Sequence, residues 1–536
     1  MSQVLTQENI RKAAFKNKAL SKDEIRRRRD EQTVEIRKNK REESLNKRRN
    51  LVEQSEPAQT VESEKLSRLE RLPHLISSMI SEDLQVRFDA VREVRRLLSN
   101  EHNPPIDVVI QGGAVPICVE FIKPVNVDPL NREIVEKIQL EAAWVLTNIA
   151  SGTSAQTAIV MQHGAVPQFL NMLNSSNSEL QEQAIWALGN IAGDCASARD
   201  HVLECGILEI LIPIVNFVIE NPQNYKISFL RNSVWALSNL CRGKSPSPPW
   251  SKIALIIPTL SRLINYPDDE VVGDACWAFS YLTDGANTKI QQVIDAGVVP
   301  RLVQLLNNGF STITPALRAL GNIVTGDDSQ TQAVLDAGFL QYAGNLLFSH
   351  RDNTVKETCW AISNITAGTE PQVQAVINAN LIPPLISILQ NASDKVKKEA
   401  CWAICNATSY KLERPDQIRY LVEQGCIKPL CDMLRSRDSR IIQTCLDALE
   451  RILEVGETLK DQSPGLINPY ALNVEEAGGM ETICDLQSHN LDDIYHRSKR
   501  IIDKFFGAED EEIDMGENFI GYEQNDMTVP QGGFNF

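Results

Sequence analysis

A tryptophan, three residues and an asparagine form a phrase that recurs along this chain and decides its fold. It appears as Trp144-Val-Leu-Thr-Asn148, Trp186-Ala-Leu-Gly-Asn190, Trp235-Ala-Leu-Ser-Asn239, Trp360-Ala-Ile-Ser-Asn364 and Trp402-Ala-Ile-Cys-Asn406. The tryptophans at 144 and 186, and again those at 360 and 402, lie 42 positions apart. Six of the seven tryptophans share this frame if Trp277 is included. Such a period indicates a repeat architecture.

A second phrase divides each repeat unit. Gly113-Ala-Val-Pro116, Gly164-Ala-Val-Pro167, Gly297-Val-Val-Pro300 and Asn380-Leu-Ile-Pro383 are examples, and Gly338 and Gly425 begin similar segments. Gly or Asn suits the left-handed residue that ends one helix, and Pro suits the first turn of the next. Each unit of roughly 42 residues is therefore predicted to hold three helices, of which the third carries Trp and Asn.

The units predict an all-α fold. Third helices are expected near positions 92, 144, 186, 235, 277, 318, 360, 402 and 446, with a degenerate tenth unit around 480–505. Because one unit cannot bury its apolar faces alone, neighbours should stack into a right-handed superhelical solenoid of about ten repeats. The 43% of apolar residues suffice for a continuous core.

Charge is placed unevenly along the chain. The net charge is −16, yet residues 1–50 hold 16 Lys or Arg against 8 Asp or Glu, so the remainder carries about −24. A basic arm on an acidic body predicts self-contact or a basic partner rather than a body that binds nucleic acid.

The two ends are expected to be disordered. The predicted divisions are an arm at 1–55, a flexible linker at 56–71, the solenoid at 72–506 and an acidic, then Gly- and Asn-rich tail at 507–536. Residues 23–49 lack Pro and Gly but have few apolar positions, so they should be helical only against a partner. A nucleic-acid-binding or merely solvated arm is the less favoured alternative, because acidic residues are interleaved.

Several functional classes find little support. No apolar core opens the chain as in a secretory signal, and the run 207–219 is too interrupted for a membrane span. Twelve cysteines without a paired framework predict a reducing compartment. Cys401 and Cys405 lie one helical turn apart without a nearby His, which argues against metal binding. No phosphate loop, zinc-helix motif or nucleophile elbow indicates an enzyme, and no cofactor is expected.

The Trp–Asn ladder, meaning the five quoted pairs together with Asn322, predicts a binding surface. Residues i and i+4 share a helix face, so the pairs should line the concave side of the solenoid. Asn offers a donor and an acceptor to an extended peptide backbone, and indole faces suit the cationic side chains of Lys or Arg. Acidic residues at the ends of the slots would complete recognition: Asp194, Asp274, Glu357 and Glu399. A single Trp would more often be core filler, but six in one frame favour a site.

These features resemble importin alpha (karyopherin alpha), the armadillo-repeat adaptor of nuclear import, over essentially the whole chain. The resemblance implies ten armadillo repeats after an importin-beta-binding arm, with basic nuclear localisation signals bound at two places. The major site would comprise Trp144, Asn148, Gly152, Thr157, Gln183, Trp186, Asn190, Asp194, Trp235, Asn239 and Asp274. The minor site would comprise Asn322, Asp328, Thr331, Glu357, Trp360, Asn364, Glu399, Trp402 and Asn406. Tyr281 and Arg318, which depart from the ladder, fall between the two.

The resemblance also assigns roles to the arm and to the last unit. Importin beta would bind the arm through Arg26, Arg27, Arg28, Arg29, Arg37, Lys38, Lys40 and Arg41. Without importin beta, Lys47, Arg48 and Arg49 would fold back as an internal competitor for the groove. The tenth unit, near Glu475, Glu476, Asp492 and Asp493, would contact the export receptor with Ran-GTP. An adaptor of this kind would shuttle between cytoplasm and nucleus and meet nuclear pore components only indirectly, without direct contact with nucleic acid or membrane.

Two other classes of binding protein remain as alternatives. A catenin-like armadillo scaffold would be expected to have a basic groove, whereas this body is acidic. An atypical adaptor that binds cargo only through its tail or convex face conflicts with the intact ladder.

Overall fold

The computed structural model describes residues 70–99, 104–125, 128–243, 245–409, 414–461 and 467–507. Within these ranges the ordered elements are helical, with no β-strand. The arm, most of the linker and nearly all of the tail lie outside them, so their expected disorder and the roles of 26–49 are not described.

Ten long third helices follow one another at the predicted positions. They are α2 (Leu84–Leu98), α5 (Arg132–Ile149), α8 (Ser178–Asp194), α11 (Ile227–Cys241), α14 (Asp269–Leu282), α17 (Phe310–Ile323), α20 (Asp352–Thr366), α23 (Asp394–Ala407), α26 (Ser439–Asp461) and α29 (Asp492–Phe505). Each packs against the third helix of the next unit. The prediction of ten stacked units is confirmed for the described residues.

Shorter helices complete the units. The first helices are α3 (Ile106–Gln111), α6 (Ser154–Gln162), α9 (Ala196–Glu204), α12 (Trp250–Ile253), α15 (Asn287–Asp295), α18 (Asp328–Asp336), α21 (Glu370–Asn378), α24 (Pro415–Glu423) and α27 (Pro469–Glu476). The second helices are α1 (Leu72–Met79), α4 (Ala114–Phe121), α7 (Ala165–Met172), α10 (Ile207–Glu220), α13 (Ile257–Leu263), α16 (Val299–Gln304), α19 (Phe339–Leu347), α22 (Ile382–Asn391), α25 (Ile427–Met433) and α28 (Gly479–Leu486). Short 3-10 turns occupy Pro222–Asn224, Ala254–Ile256 and Leu305–Asn307.

The turns between first and second helices adopt the left-handed conformation that the sequence predicts. Gly113 has φ 85°, Gly164 has φ 77°, and Asn380 has φ 54°. No atom lies within 4 Å of where a Cβ at Gly113 or Gly164 would stand. The glycines are therefore required by their backbone angle and not by crowding, and Asn is the side chain that best tolerates this angle.

Glutamines at the starts of the first helices join neighbouring units. Gln156, Gln330 and Gln372 each close a capping box with the residue three positions earlier. Their amide nitrogens then reach the first helix of the preceding unit: Gln156 Nε2 to Asp107 Oδ1 (2.7 Å), Gln330 Nε2 to Asn287 O (2.8 Å) and Gln372 Nε2 to Asp328 O (2.9 Å). One side chain thus caps a helix and fixes the stacking of two units.

A single hydrophobic core runs from Leu72 to Ile501 through all the units. It gives the third helices one continuous, rigid support.

All twelve cysteines are free thiols. Among the described residues no single helix has the length and hydrophobicity to span a membrane; two bent pairs, α9 with α10 and α21 with α22, meet those requirements jointly.

Candidate peptide-binding site

Four ladder asparagines connect their third helix to the one before it. The hydrogen bonds run from Asn190 Nδ2 to Thr147 O (3.2 Å), Asn239 Nδ2 to Gly189 O (3.0 Å), Asn322 Nδ2 to Ser280 O (2.8 Å) and Asn406 Nδ2 to Ser363 O (2.8 Å). In every case the acceptor is the residue at the fourth position of the preceding Trp-x-x-x-Asn frame. In these four units the amide nitrogen is therefore used for stacking, which the sequence prediction of a donor for the ligand did not anticipate.

The amide oxygens remain available in part of the ladder. Oδ1 of Asn190 and Oδ1 of Asn406 are buried without a hydrogen-bond partner among the described residues. An unsatisfied buried acceptor costs about 1–3 kcal/mol. Such an acceptor suits a ligand that donates an N–H, as an extended peptide backbone does.

Two asparagines depart from this arrangement. Asn148 belongs to the first ladder unit, and its Nδ2 is buried without a partner among the described residues. Asn364 donates Nδ2 to the carbonyl of Trp360 in its own helix, at 3.0 Å. Asn148 therefore offers a donor where Asn190 offers an acceptor, so the ladder contains both kinds of polar group.

The indoles lie against small residues of the preceding third helix. A Cβ on Gly189 would stand 2.3 Å from Cζ3 of Trp235, and a Cβ on Gly321 would stand 2.3 Å from Cζ3 of Trp360. Trp186 and Trp360 are 7% exposed, whereas Trp144, Trp235 and Trp402 are half-buried. The two glycines were missed by the sequence reading, although small residues at the fourth position of the frame (Thr147, Gly189, Ser238, Ser280, Gly321, Ser363 and Cys405) were the available signal.

An internal cation already occupies one face of the first indole. The guanidinium carbon of Arg95 lies 4.7 Å from the centre of a Trp144 ring. Its Nε donates to Glu141 Oε2 at 2.8 Å. The combination of an indole face and a carboxylate is the environment that the sequence predicted for a basic ligand side chain, here formed within the chain.

The break between the two halves of the ladder is formed by paired residues. The rings of Trp277 and Tyr281 are stacked with centroids 6.2 Å apart. Arg318 occupies the Trp position of its unit. It donates two hydrogen bonds to Glu357, from Nε to Oε2 at 2.9 Å and from Nη2 to Oε1 at 3.1 Å. Glu357 is 1% exposed. This carboxylate, predicted for the minor site, thus has an intramolecular cation as its partner.

Two predicted threonines are buried under the site. Thr157 donates to Ala150 O at 3.2 Å and Thr331 to Val324 O at 3.4 Å, and both are at most 1% exposed. These side chains hold the loop between the third helix and the next first helix. They can position a ligand only through that loop.

The remaining predicted residues lie closer to the surface of the third helices. Gln183 donates Nε2 to Thr147 Oγ1 at 2.8 Å, and Asp194 accepts from Ser154 Oγ at 2.9 Å. Gly152 is half-buried beside Oε1 of Gln156. The carboxylates of the following residues are half-buried: Asp194, Asp274, Asp328 and Glu399. Asp194 ends α8 and Asp328 begins α18, whereas Asp274 and Glu399 lie in the middle of α14 and α23.

Ion pairs replace the ladder in the last two units. Glu450 stands at the Asn position of α26. Its carboxylate accepts two hydrogen bonds from Arg500, from Nε at 2.7 Å and from Nη2 at 2.6 Å. Lys504 donates to Glu454 at 2.9 Å, and Arg497 pairs with Asp447. These cations of α29 occupy the carboxylates of α26, so the ladder ends in unit eight.

Comparison with protein families supports the same architecture. The description "Importin beta binding domain" matches residues 11–92, and "Armadillo/beta-catenin-like repeat" matches 153–193, 253–284, 287–325, 327–367, 369–409 and 414–454. "Atypical Arm repeat" matches 468–519. The arm, the repeats and the degenerate last unit each have a family counterpart.

Similar proteins match along almost their full length. Importin subunit alpha-1b of Oryza sativa subsp. japonica is 46% identical, with 98% of each chain covered. Importin subunit alpha-2 of Arabidopsis thaliana is 48% identical, with 97% of this chain and 96% of that protein covered. Importin subunit alpha-B of Dictyostelium discoideum is 45% identical, with 96% of each covered. An engineered protein of known crystal structure superposes with a TM-score of 0.70 at 25% identity, over 81% of this chain and 99% of its own.

Proposed function

Because the chain belongs to the importin alpha family, it is a nuclear import adaptor that binds importin beta and basic localisation signals, and we propose that the Trp–Asn ladder is where the signals bind. The proposal rests on one observation above all. The pair of indole and carboxamide recurs on the third helices of units two, three, four, seven and eight, and polar atoms of Asn148, Asn190 and Asn406 have no hydrogen-bond partner among the described residues.

The ladder fits an extended, basic peptide. Third helices stack about 8–10 Å apart, and alternate side chains of an extended strand are about 6.6 Å apart, so a strand can follow the row of indoles. The asparagine oxygens accept from its backbone, while the gaps between indoles receive Lys or Arg stems. The surrounding acids then face the ammonium or guanidinium heads.

We assign the major site to units two to four, together with Asp274 of unit five, and the minor site to units six to eight. The major site takes the residues already named from Trp144 to Asp274, and the minor site those from Asn322 to Asn406. Tyr281 and Arg318 divide them, since Arg318 places a cation where a basic ligand would need an indole. Glu357 then acts chiefly on Arg318, and Glu399 is the carboxylate that meets the minor-site peptide.

The arm has two roles in this proposal. Residues 1–55 bind importin beta through their Arg and Lys clusters, and Lys47, Arg48 and Arg49 compete with cargo for the major site when importin beta is absent. A tethered segment acts at an effective concentration in the mM range. The opposite charges of arm and body support this competition.

The tenth unit is proposed to contact the export receptor with Ran-GTP, which would let the adaptor shuttle between nucleus and cytoplasm. Glu475, Glu476 and Asp492 are exposed there. Asp493 accepts from Gln443 at 2.9 Å and from Arg497 at 3.1 Å, so it contributes less. The adaptor performs no catalysis in this proposal, and it reaches pore components only through its partners.

The test compares one variant in each half of the ladder. The double variant Trp186→Ala with Asn190→Ala should abolish binding of a short Lys-rich peptide at the major site. Glu399→Arg should weaken a minor-site peptide far more than a major-site one. Equal losses of both peptides in Glu399→Arg would contradict the two-site assignment.

Folding must be measured in the same samples. Asn190 also bonds Thr147 O, so its removal should cost about 1 kcal/mol of stability while leaving the helical circular dichroism unchanged. A double variant that loses its helices would instead support the alternative in which Trp and Asn serve only the core.

A further inference from the structure

Three cysteines of units eight and nine converge on one point. Cys401 and Cys405 face the same side of α23, with their sulfurs 3.8 Å apart. The sulfur of Cys445, on α26, lies 3.3 Å from that of Cys401. All three sulfurs fall within 4.8 Å of one another, and all three residues are at most 1% exposed.

The sequence explains why the thiols meet only here among the described residues. Cysteine directly precedes the Trp position in units five, seven, eight and nine, as Cys276, Cys359, Cys401 and Cys445. Unit eight alone also has cysteine, Cys405, at the small fourth position of the frame. Its third helix therefore presents two thiols on one face to the thiol of the next unit.

We propose that Cys401, Cys405 and Cys445 form a binding site for a thiophilic d10 metal ion, Zn²⁺ or Cu⁺. Thiolates are the soft ligands that both ions prefer. Sulfurs around a tetrahedral zinc with Zn–S of about 2.3 Å lie about 3.8 Å apart. The Cys401–Cys405 pair matches this separation, and the Cys401–Cys445 pair needs to open by about half an ångström.

The two ions make different demands on this pocket. Zn²⁺ with three thiolates carries a net charge of −1, which the positive charge of half-buried Arg451, acting on Cys405, offsets. Zn²⁺ however prefers four ligands, and no fourth protein ligand lies in the group of described residues. Cu⁺ is satisfied by three sulfurs but leaves more negative charge in the core. The shared chemistry is thiolate coordination, and the experiment separates the two ions.

Coordination requires each of the three thiols to lose its proton, because the thiolate is the metal ligand. Binding of Zn²⁺ by three thiols releases three protons, so affinity should rise with pH. No electron is transferred in this step.

Occupation of the site would join unit eight to unit nine. Cys401 and Cys405 directly precede Trp402 and Asn406, the last ladder pair. A metal ion here would fix the end of the groove against α26 and stabilise the folded chain by mass action.

The test loads the full chain, reduced and under argon, separately with Zn²⁺ and with Cu⁺, then measures metal per chain after desalting. We expect one more equivalent on the wild type than on Cys445→Ala or Cys401→Ala, with at least tenfold weaker binding in both variants. Cys359→Ala is the matched control, because Cys359 holds the equivalent buried position in unit seven. Exposed Cys195 and Cys484 contribute the same background to every sample.

X-ray absorption on the loaded wild type decides the matter even if a variant fails to fold. Three sulfur neighbours at about 2.3 Å would support the site, and the ion that gives them identifies the preferred metal. Neighbours of nitrogen or oxygen only, or equal metal content in wild type and Cys445→Ala, would overturn the proposal.

Discussion

At the scale of single residues, four ladder asparagines, Asn190, Asn239, Asn322 and Asn406, use the amide nitrogen to bond the preceding helix. Nδ2 of Asn239 holds the carbonyl of Gly189, and Nδ2 of Asn406 holds that of Ser363. The oxygen of the same amide faces away from this bond. Because the nitrogen is anchored, the oxygen is held in a fixed direction, and a peptide meets an acceptor that has already lost its rotational freedom.

Glycine under an indole gives the first prediction. A methyl group in Gly189→Ala would meet Trp235 at 2.3 Å, so the indole must move. We expect binding of a major-site peptide to weaken by about tenfold, or 1.4 kcal/mol, and stability to fall by about 1–3 kcal/mol. Gly321→Ala should have the same effect through Trp360 at the minor site. Peptide titrations on both variants measure this.

Gly344→Ala is the matched control for these substitutions. Gly344 lies within α19, and its added methyl would stand 3.7 Å from Leu381, an ordinary van der Waals distance. Helical Gly→Ala without a clash should raise stability by about 0.5–1 kcal/mol and leave both peptides bound as before. Unchanged binding of the major-site peptide by Gly189→Ala would show that peptide binding does not depend on the position of the Trp235 indole.

The pair at the break of the ladder gives the second prediction. Glu357→Gln leaves Arg318, 14% exposed at its side chain, without its charge partner. Removing one member of a buried pair costs about 3 kcal/mol, which denaturant unfolding should detect. Glu220→Gln, in an exposed pair with Arg262, should cost about 0.5 kcal/mol or less. A similar small loss in both would mean that Arg318 finds solvent easily.

At the scale of elements, helix starts carry contacts to the preceding unit. Asp268 caps α14 by accepting from Val271 N at 3.1 Å. The same carboxylate accepts two hydrogen bonds from Arg231 of α11, at 3.1 and 2.6 Å. One residue thus both begins a third helix and fixes it to its neighbour, as Gln156, Gln330 and Gln372 do for the first helices.

The third prediction concerns pH. Burial raises the pKa of Asp268 while Arg231 and the backbone lower it, and the net result is below the usual 3.8. A lowered folded-state pKa means that the stabilisation is present above the usual value and is lost as pH falls below it. Asp268→Asn keeps the cap and should cost about 1 kcal/mol at pH 7. The difference should shrink as pH falls below 3.8, as measured by thermal unfolding.

Arg231→Gln is the companion variant for this prediction. Arg231→Gln removes the pair with Asp268 and also a pair with Glu270 at 2.9 Å, so the double variant should be no less stable than Arg231→Gln alone. Additive losses would show that Asp268 and Arg231 act independently.

At the scale of the whole molecule, the arm and the rest of the chain differ in the sign of their net charge. Residues 1–50 and the rest of the chain have opposite net charge, +8 against −24 by residue count. A cargo signal has the same sign as the arm. In the proposed mechanism the solenoid attracts both, and importin beta frees the groove by binding the arm.

The fourth prediction follows from this competition. Removing residues 1–50 should tighten peptide binding by about tenfold or more, because a tethered competitor at mM effective concentration disappears. The gain should shrink in high salt, where the Debye length falls to about 3 Å at 1 M. Peptide affinity of full-length and shortened protein, at two salt concentrations, measures it.

Replacing only Lys47, Arg48 and Arg49 by Ala in the full chain should give most of the same gain. Addition of importin beta to the unaltered protein should do so as well. If the shortened protein binds no more tightly than the full chain, the arm does not occupy the groove.

The sequence by itself determined the repeat, the turns and the ladder. The spacing of Trp144 and Trp186 gave the length of the repeat unit. Gly113 and Asn380 marked turns with a positive φ, which Gly and Asn tolerate best. These properties depend on residues close in the chain, since helix periodicity and left-handed turns are local.

Tertiary structure alone decided how the ladder atoms are used. Asn190 and Thr147 meet across 43 positions, Arg318 and Glu357 across 39, and Cys401 and Cys445 across 44. The fit of Trp235 over Gly189 likewise depends on the stacking of two helices. Contacts between units depend on how side chains pack when those units stack, and no local pattern specifies that packing. This is why the ladder could be predicted but the direction of its amides could not.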